Sequence, residues 1–541
     1  MTDRPDNSGP DHDVIIIGAG ISGIYQLYRL LDDGVNVTVL EAGSAPGGTW
    51  YWNRYPGARF DSESYSYGYS FSKELLQEWS WSEHFAGQPE TLRYLNHVVE
   101  KFDLRKHMQF DCKVEAARFN DERGHWTLRI SDGRELTTRI LITAVGMLSA
   151  ATMPRIEGTE DFRGQSFHTY YWPHDPVDLK GKRVAVIGTG ATGVQVISAI
   201  ADTVDALTVF QRRPNWCAPL HNSVIDDETQ AEIKASYDEI FAQCSETPGG
   251  FIHGPDRREF ETVPHDERLA LWEKLYSSPG FGVWLGNFRD VLIKEGPNAE
   301  YSKFIAEKIL QRVDDPEVAE KLIPKDHGFG SRRVPLETRY YEAFNRDNVS
   351  LIDITETPIQ RVTATGISTT DREFDFDIIV YATGFDAITG SFDRIDISGV
   401  GGEKLRDKWI DGPVTYLGMQ SSGFPNLLIL AGPQGGSVST NFPRGIETAV
   451  DWVTNLLRYM REGEYDRIEP IPEFEVEWND HVVEMFNYSL FGTAKSWFTG
   501  YNSNVEGHDK LRYLIYNGGA PRFRSKLAEV ADADYRGFNL T

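Results

Sequence analysis

Two stretches of this chain have the residue types and spacing of a phosphate-binding turn: DVIIIGAGISG from Asp13 and RVAVIGTGATG from Arg183. Each is an apolar run of strand length, then GxGxxG, then a helical pattern. The expected unit is a strand, a tight turn and a helix whose N-terminus faces a pyrophosphate. Gly18, Gly20 and Gly23 in the first, and Gly188, Gly190 and Gly193 in the second, permit the turn, the close backbone approach to phosphate and the packing of helix on strand. The two units differ at the end of their next strand. In the first unit that strand ends at Glu41, where a carboxylate accepts from the free ribose hydroxyls of FAD or NAD. The matching place in the second unit reads QRR, and Arg212 and Arg213 suit the 2′-phosphate of NADPH because guanidinium forks match phosphate oxygens. Two dinucleotide sites of unlike preference predict electron transfer from nicotinamide to flavin, a step the cofactors themselves carry.

The destination of the electrons is narrowed by what is missing. Cys112, Cys217 and Cys244 are widely spaced, so there is no CxxC pair to reduce a disulfide and no disulfide framework. The 13 histidines show no HExxH or similar spacing, so no metal site is expected. His168, in FRGQSFHTYYWP, has no carboxylate near it in sequence and reads as a hydrogen-bonded residue that orients a linker rather than as an acid-base catalyst.

The elements that must position these groups are set by the pattern. A length of 541 residues exceeds one hydrophobic core. After each loop comes a strand rich in β-branched residues, VNVTVLEAG and DALTVFQRR, so both units are βαβ units of a parallel sheet. Between residues 222 and 324 the spacing turns helical, as in DDETQAEIKASYDEIFAQC. Beyond Val349 the apolar runs of FDFDIIVYATGFD and FPNLLILAGP return as strands that complete earlier sheets. The expected fold is therefore α/β, with two Rossmann-like dinucleotide-binding domains and a helical insertion. Residues 1–145 with 381–541 form the FAD domain, 146–221 with 325–380 the NADP domain, and 222–324 the insertion.

With 81 acidic against 55 basic residues, the net charge of −26 disfavours nucleic acid and anionic membrane surfaces and favours a small-molecule partner. The N-terminal MTDRPDNSGPDHD reads as a short disordered tail without a signal pattern, and no apolar run reaches spanning length. A soluble cytoplasmic protein is expected; the sequence is silent on its oligomeric state.

GGTWYWNRYPGARFD, Gly47 to Asp61, and FRGQSFHTYYWP, Phe162 to Pro173, resemble the fingerprints of the type I Baeyer-Villiger monooxygenases. The second meets F-x-G-x3-H-x3-W-P through Phe162, Gly164, His168, Trp172 and Pro173, and the likeness runs from Asp13 to Thr541. Related monooxygenases that oxidise sulfur or nitrogen carry a similar His segment and typically lack the Trp-Pro ending. The resemblance implies that NADPH reduces FAD, that O2 adds at the flavin C4a and that the peroxyanion attacks a ketone to give an ester or lactone. Oxygenation at sulfur or nitrogen, and a non-oxygenating redox sensor, are the alternatives.

The resemblance also implies roles for residues. It places the catalytic guanidinium at Arg333 in HGFGSRRVPLETRYYE, with Arg332 near the NADPH phosphate and Asp61 accepting from Arg333 to hold it in place. Thr49, Trp50, Tyr51 and Trp52 would lie against FAD, Arg59 on the nicotinamide side, and Ser22, Tyr67 and Val114 at further FAD contacts. Thr189, Gly190, Ala191, Thr192, Gly193, Val194 and Gln195 would bring amides to the NADPH pyrophosphate. Trp497 matches a tryptophan of the family's mobile control loop, although YNSNVEGHD departs from the Asn-Val-Pro-Gly type run and basic residue expected after it. GPQGGSVSTNFPRG, Gly432 to Gly445, aligns with a pocket-lining loop whose Asn441 and Phe442 would meet substrate or flavin. Neither motif nor loop selects among linear, cyclic and aromatic ketones.

Overall fold

A computed structural model of the chain describes residues 9–541. Most of the expected N-terminal tail, residues 1–8, lies outside the described residues. Its last part is not a tail: Asp11 accepts from the amide and hydroxyl of Thr137 at 2.8 Å each, and a strand begins at His12.

The first sheet has eight strands. At its centre His12–Ile17 runs parallel to Val37–Leu40 and Glu135–Thr143, with Val14 opposite both Val37 and Ile140. Val14 to Ile17 are buried on both faces, which is why the sequence reads as a continuous apolar run instead of an alternation. The sheet is not wholly parallel. Val114–Asn120, His125–Ile130 and Glu135–Thr143 form an antiparallel meander, with short links at Asp121–Gly124 and Ser131–Arg134. Two late strands, Asp396–Ser398 and Leu427–Ile429, pair in parallel with Val114–Asn120 and Glu135–Thr143. The C-terminal third thus completes a sheet begun at residue 12.

The second sheet is parallel throughout, in the order Val349–Asp353, Ala206–Gln211, Arg183–Ile187, Ile378–Tyr381, Gln165–His168. FRGQSFHTYYWP supplies its edge strand, with His168 opposite Tyr381. A small antiparallel sheet, Ile359–Val362, Gly366–Thr369 and Glu373–Asp375, lies beside it. Between Asp227 and Leu322 the longer elements are helices, and paired segments Ala218–Pro219 and Leu336–Glu337 carry the chain out and back. The helix Phe442–Glu462 packs on the first dinucleotide helix, Ile21–Asp32, where Tyr25 Oη donates to Asp451 at 2.7 Å and Gln26 to Thr454 at 3.0 Å. Among the described residues no helix is long and apolar enough to cross a membrane.

The two units repeat one steric device. Gly18 and Gly188 have φ of +105° and +109°, and a Cβ at each would lie 2.6 Å and 2.5 Å from the carbonyl oxygens of Ala144 and Ala382. Both alanines come directly after the neighbouring strand, in TAVG and YATG. A side chain at either glycine would force the turn off its sheet.

Candidate active site

The first glycine loop builds an anion seat backed by one carboxylate. Glu41 is buried, and its two oxygens accept from the amides of Ala19 and Gly43 at 2.7 Å each. Burial pushes its carboxyl up, against the pull of those amides. Ser22 is buried in the first turn of the helix, and Val114 heads its strand in the core with Leu40 and Cys112. Thr49 to Trp52 form one helical turn, and their side chains go four ways. Thr49 is exposed, while Trp50 enters the core, donating to Tyr67 Oη at 3.2 Å and meeting Phe60 edge-on. Tyr51 Oη bonds Ser44, and Trp52 stacks on Tyr170 at 5.4 Å and 13°. The Gly47–Asp61 motif therefore reaches the FRGQSFHTYYWP motif directly.

The same motif docks on the second dinucleotide helix, Ala191–Ile200. Tyr55 Oη donates to Gln195 Oε1 at 2.8 Å, Gln195 Nε2 donates to the Arg59 carbonyl at 3.0 Å, and a Cβ on Gly57 would lie 2.6 Å from the Gln195 carbonyl oxygen. The Gln195 side chain thus ties the two units together. Arg59 itself reaches Glu83 at 3.5 Å and the Phe85 carbonyl at 3.3 Å. Val194 is fully buried in the core of the second unit and its amide already donates to the Gly190 carbonyl at 2.9 Å, so, against expectation, it offers nothing to a ligand. Thr189 donates to the Arg213 carbonyl at 3.0 Å, and a Cβ on Gly193 would overlap the Gly188 carbonyl. Gly190, Ala191 and Thr192 form the open end of this helix.

Three guanidinium groups gather beyond that loop. Arg332, with its side chain 14% exposed, donates to Asp326 at 3.0 Å, and Arg213 lies close enough to act on its charge. Burial pulls Arg332 down, and the neighbouring Arg213 pulls it further. Asp326 is held far below the usual carboxylate range by its hydrogen bond to His327 at 2.6 Å and by Arg332. Arg212 donates to Ser503 at 2.6 Å, and Arg213 sits 5.5 Å from the Tyr501 ring centroid. The YNSNVEGHD segment thus covers the arginines that suit a 2′-phosphate. It is further fastened by Asn502 to the Phe385 carbonyl at 2.8 Å and by His508 to Asp386 at 3.0 Å. Asp386, Asp393 and His508 converge within 4.8 Å, but the Arg512 guanidinium lies 2.9 Å from His508 Nδ1 and supplies a cation there already. Trp497, half-buried on a short turn, meets Phe498 edge-on at 4.3 Å.

Arg333 lies on the return from the insertion. Its Nη1 is 2.8 Å from Asp61 Oδ2, an oxygen that also accepts from the Leu336 amide at 3.1 Å. Asp61 has its side chain 1% exposed and Arg333 31%, so the carboxylate is anchored in protein while the guanidinium faces partly open space. Phe281 flanks it, with the guanidinium carbon 5.7 Å from the ring centroid.

One further expectation is corrected. Asn441 and Phe442 do not sit on an extended loop: Asn441 caps the helix that Phe442 opens, with Pro443 in the first turn where a missing amide costs nothing. Asn441 is buried and donates to the Ser66 carbonyl and hydroxyl at 3.2 Å, so part of its polar capacity is already used. His168 accepts from the Tyr170 amide at 3.1 Å, and burial pulls its ring down to about 4, leaving it neutral at pH 7. Sequence reasoning passed over Tyr55, Asp326, His327, Ser503, Glu63 and His253. Asp326 and His327 precede GFGSRR directly and could have been found there; the others meet partners more than 100 residues away.

The glycine cradles, the ribose-side carboxylate and the arginine cluster fit FAD in the first unit and NADPH in the second. The class is that of two-dinucleotide flavoproteins with a guanidinium anchored on the flavin-side motif. Residues 11–227 match the flavin-binding monooxygenase-like family model. The chain is 46% identical over 537 residues to 2-oxo-Delta(3)-4,5,5-trimethylcyclopentenylacetyl-CoA monooxygenase of Pseudomonas putida, covering 98% of each. It is 40% identical over 538 residues to a Baeyer-Villiger monooxygenase of Pseudooceanicola batsensis, covering 99% of this chain and 97% of that one. The crystal structure of OTEMO in complex with FAD and NADP superposes with a TM-score of 0.95 at 46% identity, covering 99% of this chain and 100% of that one. The chain belongs to the type I Baeyer-Villiger monooxygenases.

Proposed function

We propose that this protein is an FAD- and NADPH-dependent Baeyer-Villiger monooxygenase that inserts one oxygen atom of O2 beside a ketone carbonyl, giving an ester or lactone. The carrying observation is Arg333, a guanidinium held by an almost fully buried carboxylate of the motif that docks on the second dinucleotide helix. The bound cofactors supply hydride transfer and the activation of O2. The chain's own residues do the rest. Gly18, Gly20 and Gly23 let the backbone approach the FAD pyrophosphate, Glu41 takes the ribose hydroxyls, and Trp52, Tyr51 and Tyr67 exclude water around the ring system.

The turn and helix start from Thr189 to Gly193 offer amides to the NADPH pyrophosphate, and Arg212, Arg213 and Arg332 hold the 2′-phosphate. Arg333 stabilises negative charge that develops on oxygen during transfer, and Asp61 fixes its direction. Phe442, half-buried, lines the ketone side, and Asn441 ties the start of its helix to Ser66. The same reading gives residues 1–145 with 381–541 to FAD, 146–221 with 325–380 to NADPH, and 222–324 to a helical cover. The three cysteines are free and buried, which fits a reducing cytoplasmic setting.

The deciding experiment mixes reduced enzyme with O2 and NADP⁺ and identifies products by mass from a panel of ketones and sulfides. Ester or lactone formation in step with NADPH use is expected. Sulfoxide alone, or NADPH use without any oxygenated product, would overturn the reading.

A further inference from the structure

Two glycine-aromatic segments of the helical insertion converge on Arg333. One is GGFIH, Gly249 to His253; the other is GFGVW, Gly280 to Trp284. Phe251 and Phe281 meet edge-on at 5.0 Å, Phe281 meets Trp284 at 5.6 Å, and Trp284 Nε1 donates to the Gly330 carbonyl at 3.2 Å, three residues before Arg333. Phe251 and Trp284 are only half-buried, so this wall presents aromatic surface beside the guanidinium. At its far end GGFIH touches the other candidate substrate residues, since the Asn441 amide donates to the Gly249 carbonyl at 2.7 Å.

One hydrogen-bonded pair fastens both segments to the turn that carries Asp61. Glu63, two residues beyond Asp61 and with its side chain 4% exposed, bonds His253 Nε2 through Oε1 at 2.7 Å. Gly280, at φ +76°, is pressed against the pair: a Cβ there would overlap Glu63 Oε1 and lie 2.9 Å from His253 Nε2. Gly282 adjoins the other side of the ring, where its Cβ would lie 3.4 Å from His253 Nδ1. The carbonyl of Glu63 accepts from the Ser66 hydroxyl at 2.9 Å, and Ser66 in turn receives Asn441. Moving Glu63 therefore moves the Phe251–Phe281 wall, and with it one face of the space in front of Arg333. Glu63 Oε2 is buried without a partner, a cost that the fold retains at this place.

We propose that Glu63 and His253 are a positioning pair that sets the aromatic wall beside Arg333 and so determines how large a ketone is admitted. Neither side chain is given a chemical step. The proposal rests on the ketone-oxygenating function above.

The test uses full-length holoenzyme with Glu63→Gln, His253→Leu, the double variant and the conservative His253→Gln, each assayed with a four-carbon linear ketone and a bicyclic ketone. FAD content and single-turnover flavin reduction by NADPH are expected within about twofold of the parent, while the ratio of the two ketone KM values shifts by about tenfold and kcat changes less. The double variant is expected to be no worse than the worse single, and His253→Gln, which keeps a donor for Glu63, to restore most of the parental ratio. An unchanged KM ratio, additive singles, or flavin reduction falling in parallel with oxygenation would overturn the proposal. If Glu63→Gln loses FAD, the comparison of His253→Leu with His253→Gln decides the matter alone. A parent enzyme that forms no ester from any ketone overturns the ketone function and this proposal together; an ester-forming parent with an unmoved ratio overturns this proposal only.

Discussion

Replacing Arg332 by Ala should strip most of the preference for NADPH over NADH, and it should do so more severely than replacing Arg212. A hydrogen bond to a charged group contributes about 1.5 to 3 kcal/mol, and the upper end applies where solvent is excluded. Arg332 has 14% of its side chain exposed and is oriented by Asp326 at 3.0 Å, so it should contribute about 3 kcal/mol, a rise in the KM for NADPH of about 100-fold. Arg212 is exposed and screened, so its loss should cost about 1 kcal/mol, or about fivefold, shrinking further as salt is raised. NADH lacks the phosphate, and its KM should move by less than about threefold in either variant.

Arg332→Ala also leaves the Asp326 carboxylate facing the phosphate, so Arg332→Ala with Asp326→Asn should recover part of the loss. Steady-state oxidation of both coenzymes at saturating ketone, monitored at two ionic strengths, measures all of this. Equal effects on NADPH and NADH, or a larger effect from Arg212, would refute the assignment of these arginines to the phosphate.

Arg333→Ala should keep FAD and lose ester formation by at least about a hundredfold; an unchanged yield in product analysis would remove Arg333 from catalysis. Gly193→Ala should abolish flavin reduction by NADPH while FAD content stays normal, because its Cβ overlaps the Gly188 carbonyl; titration of NADP⁺ binding checks this. Trp172, buried in the core of the second unit, should cost about 3 kcal/mol as Ala and lower coupling of NADPH to product more than FAD content, read by thermal melting and hydrogen peroxide release. His168 is depressed to about 4 in the folded protein against an ordinary 6.5, so the unfolded chain takes up the proton first. Its share of stability is complete above pH 6.5 and lost as pH falls toward 4, by about 3 kcal/mol in all, and His168→Asn should flatten the melting temperature over that interval.

Legibility in the sequence tracks the range of the interactions. The glycine loops, Glu41 and the arginine pair are readable because each acts within one βαβ unit, where spacing alone fixes geometry. The meander from Val114 to Thr143 is not, since its strands alternate polar and apolar residues too briefly to stand out beside the fully buried runs. Asn441 reads as a loop residue because the glycines before it obscure the helix start, and only the fold shows Pro443 in its first turn. Asp61 and Arg333 are 272 residues apart and Glu63 and His253 190 apart. The first pair is reached through family resemblance; the second leaves no local trace, because an acid and a histidine become partners only when the insertion folds back.

The Gln195 junction has a consequence for how the enzyme can work through its cycle. Tyr55, Arg59 and Gly57 of the flavin-side motif all rest on one residue of the opposite helix, while Trp52 and Tyr170 stack a short distance away. Parting the nucleotide domains would break both hydrogen bonds and unstack the rings, whereas a swivel about them would not, so swivelling is the less costly motion. Travel of the nicotinamide between reducing the flavin and retiring from it is then least costly by rotation about this axle or by movement of the coenzyme within its own groove.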